Sequence, residues 1–181
     1  IGHQKLFMMK NMDYISYYVK DGKEYTDNCE RAIFYARGVL ETVKKLRWVP
    51  DVIHCHGWAA ALAPLYIKKA YNEEPSFRDT KVVIEASPKE FEQDLGTENA
   101  KFVEYKDVSY DDIKDICENK FGHTELVKIG VKFADGVIIE NSNTDSAIME
   151  YAKSLNKPVL EPVEGDDFKE AYSTFYESLF D

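Results

Sequence analysis

Apolar residues along the chain fall into two alternating rhythms. Short β-branched runs read as strands, and between them apolar positions recur every three or four residues, the period of a helix. Residues 5–9 and the aromatic-rich run 14–19 are expected strands, the second closed by the turn signal Asp21-Gly22. Asp27, three residues before Glu30, has capping-box spacing and should open a helix. Its stripe is Ala32, Ile33, Ala36, Val39, Leu40 and Val43, and it should end near Leu46, ahead of Pro50. Residues 52–56 read as a buried strand ended by Gly57, and a helix is expected from Trp58 to about Ala70, with Pro64 kinking it or sitting in its first turns. Residues 81–86 form the next strand, and 87–109 read as irregular. Helices over 111–119 and 124–133 precede a strand at 136–139. Asn143 or Thr144 should cap a helix carrying Ile148, Tyr151, Ala152 and Leu155; a short strand at 158–160 follows. A last helix, opened by Asp166 or Asp167, should place Phe168, Ala171, Tyr172, Phe175 and Leu179 on one face.

Strand and helix in strict alternation predict an α/β fold: a doubly wound, mostly parallel sheet with helices on both faces. Such sheets bind ligands beyond the carboxyl ends of their strands, at the point where strand order reverses. Three strand ends therefore carry the functional interest: 54–58, 85–87 and 140–143.

Composition narrows the partners. Lys plus Arg number 23 against 33 Asp plus Glu, a formal net charge of −10. This excess argues against a sequence-independent nucleic-acid binder and against docking on anionic membranes. No run is long and apolar enough for a spanning helix, since residues 52–67 contain two histidines and stop short of the roughly 20 residues required. Three cysteines, Cys29, Cys55 and Cys117, show no paired spacing, which fits a reduced, cytoplasmic chain. The sequence opens on Ile1, as expected of a processed or truncated product.

The strand ending His54-Cys55-His56-Gly57-Trp58 is the most informative segment. Side chains alternate with period two, so both imidazoles share a face and Cys55 points to the other. Two imidazoles, an indole face and a following helix N-terminus would suit a sugar or sugar nucleotide, provided they open into one pocket at the sheet rim. The plainer alternative holds His54 by a hydrogen bond to a neighbouring loop and Trp58 in the core. His-x-His also offers metal-ligand atoms, and a zinc-dependent hydrolase is a third class. With Cys55 on the opposite face and no second ligand pair at matching spacing, neither a metal nor a cofactor is expected. Asp27 and Asn28 could reach across the crevice, as could Asn141 at the end of its strand, although capping and a plain helix entry account for Asp27 and Asn141 equally well. The carboxylates between Lys89 and Asp115 read as solvated surface. The aromatics Tyr172, Phe175, Tyr176 and Phe180 are either core or a surface for a partner or a second copy. Neither a dinucleotide fingerprint, a phosphate loop nor a nucleophile elbow occurs.

Residues 27–34, Asp-Asn-Cys-Glu-Arg-Ala-Ile-Phe, lead to Trp48-Val49-Pro50-Asp51-Val52-Ile53-His54-Cys55-His56-Gly57-Trp58-Ala59-Ala60-Ala61-Leu62-Ala63-Pro64. Together they resemble bacterial glycogen/starch synthase, whose pattern here is W-x-P-D-[IV]-[IV]-H-x-H-D-W-H-[TA]-[GA]-L-x-P. Ala134-Asp135-Gly136-Val137 is similar, more weakly, to a later family segment. The resemblance implies a Rossmann-like domain, residues 1–181, equivalent to the acceptor-side half of a two-domain enzyme that moves glucose from ADP-glucose to an α-1,4-glucan. It keeps His54, His56, Trp58, Asp27 and Asn28 as candidate substrate-binding residues, Asn141 joining them by its place at a strand end, and assigns no catalytic residue. The departures point the other way. The family's Asp after the second histidine is Gly57, its third histidine is Ala59, and Glu85-Ala86-Ser87-Pro88 stands where the family reads T-I-H-N. The family's N-terminal glycine-rich loop has no counterpart. Weak or absent synthase activity is therefore expected of the chain alone, whose partners would be an α-glucan or sugar nucleotide, and a separate donor-domain protein or a second copy. The alternative is a non-catalytic α-glucan-binding or protein-interaction module.

Overall fold

The computed structural model describes residues 19–20, 23–163 and 168–181. The strands expected at 5–9 and over most of 14–19, the turn at Asp21-Gly22 and the caps at Asp166 or Asp167 lie outside the described residues. Two short strands, β1 (Val19–Lys20) and β2 (Lys23–Glu24), pair antiparallel. The main sheet has four strands: β3 (Val52–His56), β4 (Lys81–Ala86), β5 (Gly136–Ile139) and β6 (Val159–Leu160). All three pairings are parallel, and the spatial order β3-β4-β5-β6 is the chain order. Among the described strands the order never reverses, so the polar groups gather along the carboxyl edge and not at one switch point.

Right-handed crossovers between adjacent parallel strands place the connecting helices on one face. These are α2 (Ala63–Lys69), the one-turn α3 (Lys114–Cys117), α4 (His123–Phe133) and α5 (Ser146–Ser154). On this face Cys55, Val82, Ile84, Ala86, Val137 and Ile139 pack into the larger core, with Leu65, Tyr66, Leu126 and Ile129. Helix α1 (Asn28–Lys45) adds its predicted stripe, burying Ala32, Ile33, Ala36, Leu40 and Val43. Its last turn carries Lys44 and Lys45, favourable at a helix C-terminus. The opposite face is covered by α6 (Phe168–Ser178), which with the following Leu179 sets Phe175 and Leu179 on Val83 and Ile138. Burying two such side chains contributes at most about 3–6 kcal/mol. Gly136 makes this contact possible: a Cβ there would lie 2.9 Å from Phe175 Cζ and 3.0 Å from Leu179 Cδ2. The chain is thus a Rossmann-like α/β layer with helices on both faces.

Local structure departs from expectation in four places. The segment after Gly57 breaks into a 3₁₀ turn (Trp58–Ala60) followed by α2, with Pro64 in the first turn of α2, where its missing N–H costs nothing. Asp27 makes no side-chain cap; its carboxylate instead forms a two-bond pair with Arg31, at 2.8 and 3.1 Å. The cap of α5 is Asp145, accepting from the Ala147 amide at 2.9 Å, because Thr144 is buried and donates to the Ala86 carbonyl. The stretch expected to be irregular holds a 3₁₀ segment, Thr97–Val103.

Candidate functional site

Parallel register sets His54 beside Val83 and His56 beside Glu85. Both imidazoles project onto the α6 face, as the period-two alternation predicts, and Cys55 is buried on the other. Glu85 is the hub. Its Oε2 is 2.8 Å from His54 Nε2 and 3.4 Å from His56 Nδ1, while its Oε1 accepts from the Tyr172 hydroxyl at 2.9 Å. A carboxylate only accepts, so the imidazole nitrogens facing it carry the protons. The other nitrogen of His54, Nδ1, meets the Tyr176 hydroxyl at 2.7 Å. Tyr172 and Tyr176, one turn apart on α6, are thereby tied to the strand ends.

Burial alone would raise the Glu85 pKa, but hydrogen bonds from His54, His56 and Tyr172 outweigh it and hold the carboxyl far below the usual carboxylate range. The bond to Glu85 raises His56 against a smaller opposing effect of burial. Burial raises the Tyr172 phenol, and its bond to Glu85 raises it further. His56 remains open, its side chain 61% exposed, whereas that of His54 is 25% exposed.

A second cluster lies at the same strand ends on the opposite face. Gly57 turns the chain at φ +74°, a left-handed conformation that favours glycine. The turn aims the Trp58 amide at Glu90 Oε1, 3.1 Å away, and the Ser87 hydroxyl donates to the same oxygen at 3.0 Å. His123 Nε2, at the first turn of α4, stands 3.9 Å from it. The His123 side chain is fully buried, and neither of its ring nitrogens has a hydrogen-bond partner. Burial acts to raise the Glu90 pKa; the nearby His123 ring, the Ser87 hydroxyl and the Trp58 amide bring it below its ordinary value. Glu90 is therefore no solvated surface carboxylate: it ties the strand-end turn to the loop after β4.

The other candidates separate. Trp58 is 5% exposed, edge-on to Phe91 at 5.2 Å, and so lies in the core and not beside the imidazoles. Asn28 is buried and donates to Gln93 Oε1 at 3.0 Å, while Asp27 is held by Arg31. Asn141, after β5, accepts from the Asn143 amide at 2.9 Å in a tight turn at the carboxyl edge. A surface hollow of about 540 Å³ lies against α1, lined by Ile33, Phe34, Arg37 and Phe102 among others; none of the strand-end side chains lines it. The sequence offered no route to Glu85, Glu90 and His123 as partners. Only strand register and loop placement bring them together.

The model of the starch synthase catalytic domain family matches residues 1–157. Glycogen synthase of Geotalea daltonii is 30% identical over 172 residues, 89% of this chain and 31% of that protein. Glycogen synthase of Chlorobium limicola is 46% identical over 66 residues, 36% of this chain and 14% of that protein. Among solved structures, the catalytic domain of Starch Synthase IV from Arabidopsis thaliana, bound to ADP and acarbose, aligns with a TM-score of 0.60 at 16% identity, over 86% of this chain and 34% of that one. The chain spans about a third or less of the length of these relatives.

Proposed function

Given that this chain belongs to the starch synthase catalytic-domain family, we propose that it is an acceptor-side domain of the glycogen/starch synthase type, meeting an α-glucan at the carboxyl edge of its sheet and transferring glucose from ADP-glucose slowly or not at all. One observation carries this reading: the polar groups at the strand ends spend their hydrogen bonds on one another. Glu85 takes both imidazoles, and Glu90 takes the Trp58 amide and the Ser87 hydroxyl. Groups so engaged are poorly placed to stabilise charge developing on a transferred sugar. At the two positions where the family carries an aspartate and a histidine, Gly57 and Ala59 provide no side-chain donor or acceptor. Loss of one charge-stabilising donor costs about 10²–10³ in rate.

His56 and Asn141 form the polar lip for glucan hydroxyls. His54 positions His56 through Glu85, while Trp58, Asn28 and Asp27 shape the elements behind them. The buried, unpaired cysteines fit a reducing, cytoplasmic setting. Among the described residues no helix is long and apolar enough to cross a membrane.

The test is glucose transfer from ADP-glucose to glycogen by the purified chain, beside a complete glycogen synthase. At least 100-fold slower turnover is expected, together with co-sedimentation with glycogen that weakens in His56→Ala and Asn141→Ala. Turnover within tenfold of the complete enzyme overturns the reading of weak catalysis. Absence of co-sedimentation overturns the glucan-binding part. A protein-interaction role is the second reading, favoured by Phe34 and Phe102, 72% and 53% exposed beside the hollow on α1.

A further inference from the structure

Three adjacent strands deliver one metal-ligating side chain each to a single point. His56 closes β3, Glu85 sits beside it on β4, and Glu140 directly follows β5. One ligand atom from each lies within 4.8 Å of the other two. Ligands about 2.0–2.1 Å from a tetrahedral zinc ion lie about 3.4 Å from each other. His56 Nδ1 and Glu85 Oε2 already stand at 3.4 Å, and a small swing of the exposed Glu140 side chain completes a third corner. Among the described residues no hydrogen bond or ion pair engages the Glu140 carboxylate.

We propose that His56, Glu85 and Glu140 bind one divalent transition-metal ion of the zinc class. One imidazole and two carboxylates make a mixed nitrogen and oxygen donor set, which suits zinc better than the all-oxygen sites preferred by magnesium and calcium. The support around the central ligand is built. Tyr172 holds Glu85 Oε1, and the ion takes the place of the His56 Nδ1 proton that now faces Oε2, a proton released to solvent on binding. His54 contacts that same Oε2 and is itself fixed by Tyr176. Hydrogen bonds of this kind orient a ligating carboxylate. His54, Tyr172 and Tyr176 are positioning residues here. The exposure of His56 and Glu140 leaves a fourth position open to water or to a hydroxyl oxygen of a bound molecule. The thiols take no part, because Cys55 lies on the opposite face of the sheet.

The experiment uses the purified chain without an affinity tag, stripped by chelator and dialysed against zinc chloride. Elemental analysis should find one zinc per chain. Glu140→Gln, an exposed substitution that leaves the far-ultraviolet circular dichroism unchanged, should weaken the apparent Kd at least tenfold, and His56→Ala likewise. His54→Ala should weaken it by about tenfold through loss of orientation. Loading with cobalt(II) should give visible bands of a nitrogen and oxygen set without a thiolate charge-transfer band. Zinc well below one equivalent, affinity unchanged in Glu140→Gln, or a thiolate band would each overturn the assignment.

Discussion

Replacing Glu85 by Gln tests the hub of the site while keeping its volume. Gln retains an oxygen for the Tyr172 hydroxyl, so that bond survives. The atom facing the imidazoles becomes an amide nitrogen or a neutral oxygen, and the charge is gone. A hydrogen bond to a charged group is worth about 1.5–3 kcal/mol when largely buried. The 2.8 Å contact with His54 falls in that class, because Glu85 is 9% exposed. The 3.4 Å contact with His56, whose side chain is 61% exposed, is discounted to the roughly 0–1 kcal/mol of a surface pair. The expected loss is about 2–3 kcal/mol, or roughly 5–10 °C in Tm for a chain of this size. Urea unfolding followed by circular dichroism at pH 6 reads it, with exposed Glu150→Gln as a control that should change stability by less than about 0.5 kcal/mol. A double-mutant cycle with His54→Ala should show coupling of about 1 kcal/mol or more. A loss no larger than that of the control, or additivity in the cycle, would refute the hub.

Other outcomes follow from the same geometry. Glu85, held below its ordinary value of 4.5, contributes stability that is full above that value and lost as pH falls below it. His56, held above 6.5, contributes stability that is full below that value and lost as pH rises through its folded pKa. Stability measured against pH should therefore peak between about 5 and 6.5, and Glu85→Gln should flatten the peak. Gly136→Ala should cost about 1–3 kcal/mol by pushing Phe175 and Leu179 off the sheet, read as a lower urea midpoint; an unchanged midpoint would show that α6 docks elsewhere. Burial pushes the Cys29 and Cys55 thiols up to about 12 and that of Cys117 up to about 11, so none should react with a thiol reagent at pH 8 until the protein is denatured. Fast labelling of any of the three in the native state would contradict this packing.

The sequence by itself determined the order of strands and helices from α1 onward, the stripe of α1, the shared face of His54 and His56, and the family. These are local properties: period-two and helical patterns are written into neighbouring residues, and the segment around residues 48–64 carries its own signature. Tertiary structure alone decided what the imidazoles meet. Tyr176 lies 122 residues from His54 and Tyr172 lies 87 from Glu85, contacts fixed by the register of β3 on β4 and by the return of α6 across the sheet. It also sealed Trp58 against Phe91 and turned Glu90 inward, because the left-handed turn at Gly57 points the following amide at that carboxylate. Alternation tells which face a side chain takes. It cannot tell which distant segment will cover that face, since that depends on apolar surfaces from opposite ends of the chain finding each other.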